Sequence, residues 1–378
     1  MPALLTPTQL TRDLAVRDLT DPAAGPHAVQ LVVERAVSAA ARPGTEIRRW
    51  PGDRIVTVAD NYDRLGYDPA DVTRDARYTR YVDGSHVLRS HSSAMIPAAL
   101  RALKACPADD VLLVCPGVVY RRDSIDRLHS GTPHQLDLWR ITRGTTTKAD
   151  LEHLVTSLVE TLLPGRPWRL EPRRHPYTVD GAQLDVEHQG EWVEVAECGL
   201  AHPAVLARAG LGDGRSGLAL GMGLDRMLML LKGIPDIRLL RSADPAVAAQ
   251  LTDLAPYRPV SALPPVRRDL SIAVAADDRA EDLGDRVRTA LGDDSDLVES
   301  VEIRQETPCA RLPPQALARL GAERNQKNLL VRLVLRPLDR TLSDAEANAL
   351  RDRAYAALHQ GTAHQWSGSQ PPERAGGR

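Results

Sequence analysis

Apolar and polar positions along the chain follow two periods, which together predict a protein that mixes helices and strands. In residues 26–41 the apolar side chains recur every three or four positions, as in a helix that buries one face. A longer helix is predicted after Thr147, which can cap it together with Asp150 three residues on. Residues 166–200 alternate with the two-residue period of strands, and a further strand leads into a helix at 223–233.

The pattern changes near residue 257, which predicts a second domain. From there it indicates strand, helix, strand, strand and helix, an order typical of a small ferredoxin-like α+β sandwich. The last residues are polar and rich in glycine and proline, which predicts disorder. We therefore predict an N-terminal extension, a first domain, a linker, a second domain and a disordered tail, at residues 1–25, 26–245, 246–256, 257–366 and 367–378.

Charge and cysteine content narrow the classes of partner and compartment. The 378 residues carry 48 Lys+Arg and 50 Asp+Glu, a net charge of −2, which excludes a polycation that binds nucleic acid by total charge. The four cysteines have no CxxC spacing, so we expect reduced structural thiols. No apolar run is as long as a membrane span, and the first residues lack the order of a signal peptide. We expect a cytoplasmic protein without a membrane partner.

The composition has one unusual feature, because the chain contains no phenylalanine at all. Its aromatic side chains are 5 Trp and 8 Tyr. The core must therefore be built mainly from Leu, Val, Ala and Ile, and any site that needs an aromatic face has thirteen candidates.

Three stretches carry the candidate chemistry. They are VLRSHSSAM at 87–95, CPGVVYRRDSIDRLHSGTPHQLD at 115–137, and WVEVAECGLAHPAVL at 192–206 with SGLALGMGLDRMLMLLKGIPDIRLL at 216–240. In order and spacing they resemble the catalytic core of phenylalanyl-tRNA synthetases. The part that begins YRPVSALPPVRRDLSIAV at 257 resembles the anticodon-binding domain of that family.

This resemblance implies the fold class and the architecture. The fold would be α+β, with a class II aminoacyl-tRNA synthetase antiparallel-sheet catalytic core over 26–245, followed by a ferredoxin-like anticodon-binding sandwich over 257–366. The layout is similar to the single-chain, organelle-type enzyme. Such an enzyme would act on an amino acid, ATP with Mg²⁺, and a tRNA, namely tRNA-Phe, as a monomer or a homodimer.

Activation of an amino acid requires its carboxylate to attack the α-phosphate of ATP, so the protein must orient the reactants and surround the phosphates with cations. Arginine suits this task because its planar, permanently charged fork binds two oxygens. The resemblance implies that Arg121 and Arg226 are the catalytic residues, and that glycines let the backbone approach the nucleotide. The remaining nucleotide-binding residues that it implies are Asp123, His129, Pro133, Gly221 and Gly223.

The resemblance also implies an amino-acid pocket. A carboxylate in that pocket would pair with the substrate ammonium, and Ala219 would form the floor under the substrate ring. The implied residues are His91, Ser93, Gln135, Asp137, His175, Tyr177, Glu197 and Ala219.

Several of these positions depart from the family pattern. His175-Pro176-Tyr177 replaces a Phe-Pro-Phe element, Pro133 replaces the aromatic residue that stacks on adenine, and Glu197 replaces a glycine. The pocket is therefore predicted to be more polar, and buried polar groups need partners. Either these groups satisfy one another, or a polar substrate group satisfies them, or Glu197 turns away to an arginine such as Arg173.

The second domain has balanced charge, so RNA recognition there depends on individual residues. The candidates for tRNA binding are Arg267, Arg268, Arg332 and Arg336. Some of them alternate along a predicted strand, which is equally typical of an ordinary solvated strand face.

Two further functions stay open on the sequence. The altered pocket favours a specialised paralogue that charges a polar or analogue amino acid for resistance or natural-product synthesis. The loss of the adenine-stacking ring at Pro133, together with Asp137 in place of a glutamate, favours a non-catalytic tRNA-binding regulator.

Overall fold

The computed structural model describes residues 4–122, 124–212, 214–259, 263–337 and 340–363. These residues form two units. Of these residues, one unit contains those within 4–122 and 127–259, and the other contains 124–126 and those within 263–337 and 340–363. Of the sequence predictions, Asp123, the disordered tail at 367–378 and the end of the second domain at 364–366 lie outside the described residues.

The first unit is built on one large sheet. Its helices are α1 Pro7–Ala15, α2 Ala28–Ala40, α3 Val58–Asn61, α4 Ile96–Ala105, α5 Lys148–Leu162, α6 Pro203–Arg208, α7 Leu224–Lys232 and α8 Pro245–Ala248. Its strands are β1 Glu46–Arg49, β2 Ile55–Thr57, β3 His86–Leu88, β4 Asp110–Val118, β5 His134–Arg143, β6 Trp168–Pro172, β7 Thr178–His188, β8 Glu191–Ala201 and β9 Arg215–Gly223. Seven strands join in the order β1-β4-β5-β9-β8-β7-β6, with β1 and β4 parallel and the other pairs antiparallel, while β2 and β3 pair separately.

Two helices that the periodicity predicts pack against each other. In α2 the buried positions follow the predicted spacing, and Ser157 of α5 donates to the carbonyl of Ala39 at 2.9 Å. The capping box at the start of α5 is confirmed, because the Thr147 side chain accepts from the backbone of Asp150 and the Asp150 side chain accepts from that of Thr147. On one face of the sheet, α4 packs over Trp139 and its neighbours to form a hydrophobic core.

Two segments differ from the sequence patterning. The sequence pattern of residues 119–141 predicts two strands around a polar loop, and this prediction is wrong at its start, because β4 ends at Val118. Beyond that point pairing continues only through isolated bonds such as Val119 N to Pro133 O at 2.8 Å. The segment 246–256, predicted as a linker, contains short helical turns in which Val247 and Leu251 are buried.

The second unit is a smaller α+β layer. Its elements are β10 Val266–Ala275, α9 Ala280–Leu291, β11 Val298–Pro308, α10 Pro314–Leu320, β12 Gln326–Leu335 and α11 Asp344–Leu358. The strands form an antiparallel sheet in the order β10-β12-β11, and side chains of α9 and α11 form one core with it. The short α10 was not predicted, since it spans only seven residues between a proline pair and Gly321.

Among the residues that the structure describes, no helix is both long enough and apolar enough to cross a membrane.

Candidate active site

Two rows of residues cross the middle of the large sheet and share one face. Glu197 on β8, Gly221 on β9 and Asp137 on β5 are register partners. Direct cross-strand partners project to the same side of a sheet, so the two carboxylates flank Gly221, which carries no side chain. Two residues along the strands, Ala219 pairs with Trp139 and lies on the same face. The structure therefore brings together Asp137, Glu197 and Ala219, which the resemblance assigns to the amino-acid pocket, and Gly221, which it assigns to the nucleotide.

Asp137 is held by three protein donors. Its Oδ2 accepts from the hydroxyl groups of Ser92 and Ser93, and its Oδ1 accepts from Trp139 Nε1 at 3.0 Å. The backbone N–H of Ser92 also donates to Gln135 Oε1 at 3.1 Å, which fixes this serine segment against β5. Burial raises the pKa of Asp137 to about 6, although the three donors oppose that shift. The carboxylate is ionised at neutral pH and becomes neutral in mild acid.

Aromatic rings form the walls beside Asp137. His91 stacks on Tyr67 with ring centroids 5.7 Å apart, and Tyr177 lies 6.3 Å from Tyr67 and 6.1 Å from Trp139. His175 in turn stacks on Tyr177 at 5.6 Å. We call Tyr67, His91, Trp139, His175 and Tyr177 the aromatic cluster. A chain without phenylalanine thus surrounds this site with tyrosine, tryptophan and histidine rings.

Two members of the aromatic cluster were missed from the sequence. Trp139 is two positions after Asp137 on the same strand, so the two-residue period could have placed it on the site face. Tyr67 lies in a loop and reaches the site through tertiary packing, for which the sequence carries no local signal.

His91 is neutral within the cluster. Burial lowers its pKa to about 4, and the positive charge of Arg121 lowers it further, while the nearby Asn61 backbone opposes the shift. In the described part of the chain, neither ring nitrogen has an aligned hydrogen-bond partner. A neutral imidazole offers one donor and one acceptor, so His91 can bind a polar ligand atom from this wall.

Glu197 lies next to His175, a member of the aromatic cluster. Its Oε1 lies 3.1 Å from His175 Nε2, within ion-pair distance but without the alignment of a hydrogen bond. Burial alone would raise the pKa of Glu197. The shift is outweighed by His175, Arg173 and Arg121, so this pKa falls below its usual value. Of the arrangements that the sequence left open, the structure shows the carboxylate directed at His175.

The two arginines predicted to contact ATP are both held by backbone carbonyls. Arg121 Nε donates to Ser90 O at 3.0 Å, and Arg226 on α7 donates through a terminal nitrogen to Glu194 O at 2.9 Å. An arginine carries five N–H donors in a rigid fork, so one such bond orients the group for others.

The other predicted nucleotide-binding residues lie at the end of β9 and in the loop before β5. Gly223 ends β9, pairs with Gln135 and immediately precedes the helix that carries Arg226. His129 is half-buried in the loop before β5, and Pro133 accepts a backbone bond through its carbonyl.

A buried pair joins the two motifs that carry these residues. His134, the first residue of β5, is fully buried, and its Nδ1 lies 2.9 Å from Asp225 Oδ1 in the first turn of α7. The His134 backbone N–H also donates to Asp225 Oδ2 at 2.7 Å. Although burial favours the neutral acid, these contacts hold the pKa of Asp225 below its usual value. Neither His134 nor Asp225 was predicted from the sequence as a site residue.

Three of the four arginines predicted to bind tRNA pair with acidic side chains of the second unit. Their contacts are Arg268 to Asp344 at 2.7 Å, Arg332 to Asp269 at 2.7 Å and Arg336 to Glu299 at 2.6 Å. Arg267 is exposed on β10.

Across the described ranges, no group of three or more His, Cys, Asp or Glu side chains is arranged to hold a metal ion.

Comparisons with known proteins identify the family of this chain. A family model described as tRNA synthetases class II core domain (F) matches residues 13–251. The chain therefore belongs to the family of class II tRNA synthetase core domains (F), and its α+β core with a mostly antiparallel sheet is the fold that the sequence predicted.

The similar curated proteins include the alpha subunits of phenylalanine--tRNA ligases from several organisms. The phenylalanine--tRNA ligase alpha subunit of Prochlorococcus marinus strain MIT 9313 is 34% identical over 236 residues, covering 60% of this chain and 68% of the relative. The subunit of strain NATL2A is also 34% identical, over 51% of this chain and 56% of the relative. The chloroplastic/mitochondrial phenylalanine--tRNA ligase of Arabidopsis thaliana is 28% identical over 79% of this chain and 68% of the relative.

A search of solved structures finds a pyrrolysyl tRNA synthetase, PylSc of Desulfitobacterium hafniense. It is 18% identical with a TM-score of 0.44, over 62% of this chain and 77% of that one.

Proposed function

We propose that the chain activates phenylalanine or a closely related aromatic amino acid with ATP and transfers it to tRNA. The observation that carries this proposal is the row Glu197, Gly221 and Asp137, which lies beside the aromatic cluster and in the charge field of Arg121. A buried carboxylate, aromatic walls and a positioned arginine match an amino acid that is held for attack on a phosphate.

The roles of individual residues follow from this geometry. Asp137 and Gln135 would bind the substrate ammonium, and Ala219, with Trp139 and Tyr177, would enclose its ring. The substrate carboxylate would then attack the α-phosphorus of ATP, so that an acyl–phosphate bond forms and pyrophosphate leaves.

Arg121 and Arg226 would bind the phosphate oxygens while negative charge develops there. Mg²⁺ would arrive with ATP, since this ion is usually held by phosphate oxygens and one or two carboxylates. Glu194, whose carbonyl orients Arg226, is a carboxylate at that end of the site. The 3′ end of the tRNA would then take the acyl group and release AMP.

The second unit would serve as the anticodon-binding domain of a single-chain enzyme. The similarity to the Arabidopsis ligase, which covers 79% of this chain, supports this layout. The domain boundaries would follow those predicted from the sequence, with Arg267, Arg268, Arg332 and Arg336 as the first residues to test against tRNA-Phe. The proposal places the enzyme in the cytoplasm as a monomer or a homodimer, and the four free cysteines fit a reducing compartment.

ATP–pyrophosphate exchange tests the first half-reaction directly. The purified full chain is assayed with each of the twenty standard amino acids, and aminoacylation of tRNA-Phe is measured in parallel. Exchange that depends on an aromatic amino acid supports the proposal. A folded sample without exchange for any amino acid contradicts it, and tRNA binding without exchange identifies the non-catalytic regulator instead.

A further inference from the structure

Glu197 and His175 form a polar pair next to the aromatic cluster, and the two side chains are close without an aligned hydrogen bond. His175 Nε2 is buried and lies 3.1 Å from Glu197 Oε1 without an aligned hydrogen bond. The side chain of Glu197 is 32% exposed, so it remains accessible beside the buried imidazole. Asp137, on the other side of Gly221, instead accepts three bonds from the protein.

The local backbone holds His175 at this place. A bulge between Val179 and Ala182 interrupts the pairing of β7 with β8, and Gly181 within it accepts from the backbone of Arg173. A Cβ at Gly181 would lie 2.4 Å from the Arg173 carbonyl oxygen and 3.0 Å from His175 Nδ1. A side chain at Gly181 would therefore force the Arg173 carbonyl, two residues before His175, to shift.

The other contacts of His175 orient its ring. Nδ1 lies 3.3 Å from Thr178 Oγ1, and the ring stacks on Tyr177. With one ring nitrogen engaged by the threonine and one face covered, the edge that carries Nε2 is directed towards Glu197. The pair thus offers a carboxylate acceptor and an imidazole nitrogen side by side.

A hydroxyl or amine group on a substrate ring would satisfy both partners. A hydroxyl donates one hydrogen bond and accepts others, so it can donate to the carboxylate and bind the imidazole nitrogen together. A plain phenyl ring would cover the same groups and leave them without partners, which is costly in a buried site. Sites built to bind a substrate hydroxyl therefore discriminate strongly against the analogue that lacks it.

We propose that Glu197 and His175 determine the specificity of the amino-acid pocket and select an aromatic amino acid whose ring carries a hydroxyl or an amine. This inference rests on the proposed function, because it assumes that the pocket activates an aromatic amino acid. In this proposal, the pair Glu197 and His175 gives the pocket a polar wall in place of an apolar one.

The experiment measures kcat/KM in ATP–pyrophosphate exchange for four amino acids. They are L-phenylalanine, L-tyrosine, L-meta-tyrosine and 4-amino-L-phenylalanine, so that both ring positions and both donors are sampled. We expect at least one polar analogue to exceed phenylalanine by at least ~10-fold in the unmodified chain. Glu197→Gln and His175→Phe should each reduce this ratio by at least ~10-fold, mainly through KM of the polar analogue.

The ratio within each variant separates specificity from damage to the fold, because partial unfolding lowers the exchange with all four amino acids alike. Glu191→Gln, an exposed position on the same strand, is the matched control and should leave the ratio unchanged. A preference for phenylalanine in the unmodified chain overturns the inference and leaves the proposed function intact. A polar preference that both variants retain also overturns it. Exchange with none of the twenty standard amino acids or these analogues removes the proposed function itself.

Discussion

Asp137 and Glu197 show how environment separates two carboxylates on one sheet face. Burial dominates at Asp137 and raises its pKa to about 6, whereas at Glu197 the neighbouring His175, Arg173 and Arg121 outweigh burial and lower its pKa. Both groups are ionised at neutral pH, but only Asp137 changes charge in mild acid. The end of the site that we propose to bind the substrate ammonium is therefore expected to respond to pH.

The first prediction concerns this response. Below pH 6 Asp137 becomes protonated and loses its attraction for a substrate ammonium, so KM for the amino acid should rise as pH falls from 7 to 5. The rise should approach ~10-fold per pH unit below the pKa, while KM for ATP stays free of this inflection. Exchange assays across that range measure both values. An Asp137→Asn variant should bind the amino acid weakly at every pH, and an inflection that survives in it would assign the titration to another group.

The second prediction concerns the arginine fork. Arg121 donates one bond to Ser90 O, and in the proposed mechanism its other N–H groups bind phosphate. Lysine has a point charge and cannot make both contacts in this geometry, so Arg121→Lys should lower kcat for exchange by about 100-fold or more. Arg143→Lys is the matched control, since that arginine is 66% exposed and pairs with Asp109 at the surface. Equal losses in both variants would show that the effect is not local to the site.

At the scale of elements, the contact between β5 and α7 depends on the buried pair His134 and Asp225. Removing the carboxylate leaves a buried imidazole and a backbone N–H without their acceptor. We predict that Asp225→Ala destabilises the chain by about 3–5 kcal/mol, the usual cost of breaking a buried polar pair. Urea denaturation measures the change, with Asp109→Ala as an exposed control that should shift the free energy of unfolding by less than about 0.5 kcal/mol. Similar midpoints for the two variants would contradict this view of the contact.

Elements with strong local signals could be predicted, whereas their register and their tertiary partners could not. Helix α5 followed from its capping box and its apolar period, both of which are encoded between Thr147 and Leu162. The row Glu197, Gly221 and Asp137 depends on which strands are neighbours, a property of the whole sheet. Tyr67 illustrates the same limit, because a loop residue reaches the site only through packing. The resemblance to a family supplied what periodicity could not, except where this chain departs from that family.

At the scale of the whole molecule, other side chains fill the core in place of phenylalanine. The largest fully buried residues include Trp139, Tyr62 and Tyr120, and the remaining core positions are mostly Leu, Val, Ala and Ile. Leu218 and Leu220, which flank Ala219 on β9, are also buried. Apolar burial is thus maintained with aliphatic residues, which interchange with modest cost when volume is kept. The core therefore folds without phenylalanine. We look for the reason for its absence in the translation of the chain.

The last prediction follows from this absence. A synthetase of the proposed type, made without phenylalanine codons, can be translated while charged tRNA-Phe is scarce, which suits an enzyme that restores or bypasses that supply. In a reconstituted translation mixture depleted of phenylalanine, we expect the full chain to accumulate as in the complete mixture. The matched variant Leu31→Phe changes a residue that is 40% exposed on α2, so it should fold normally yet stop at the new codon. In cells, a brief phenylalanine starvation should reduce synthesis of the variant more steeply than that of the unmodified chain, as followed by pulse labelling with another amino acid. Equal declines of the two proteins would show that the absence of phenylalanine gives no advantage during phenylalanine starvation.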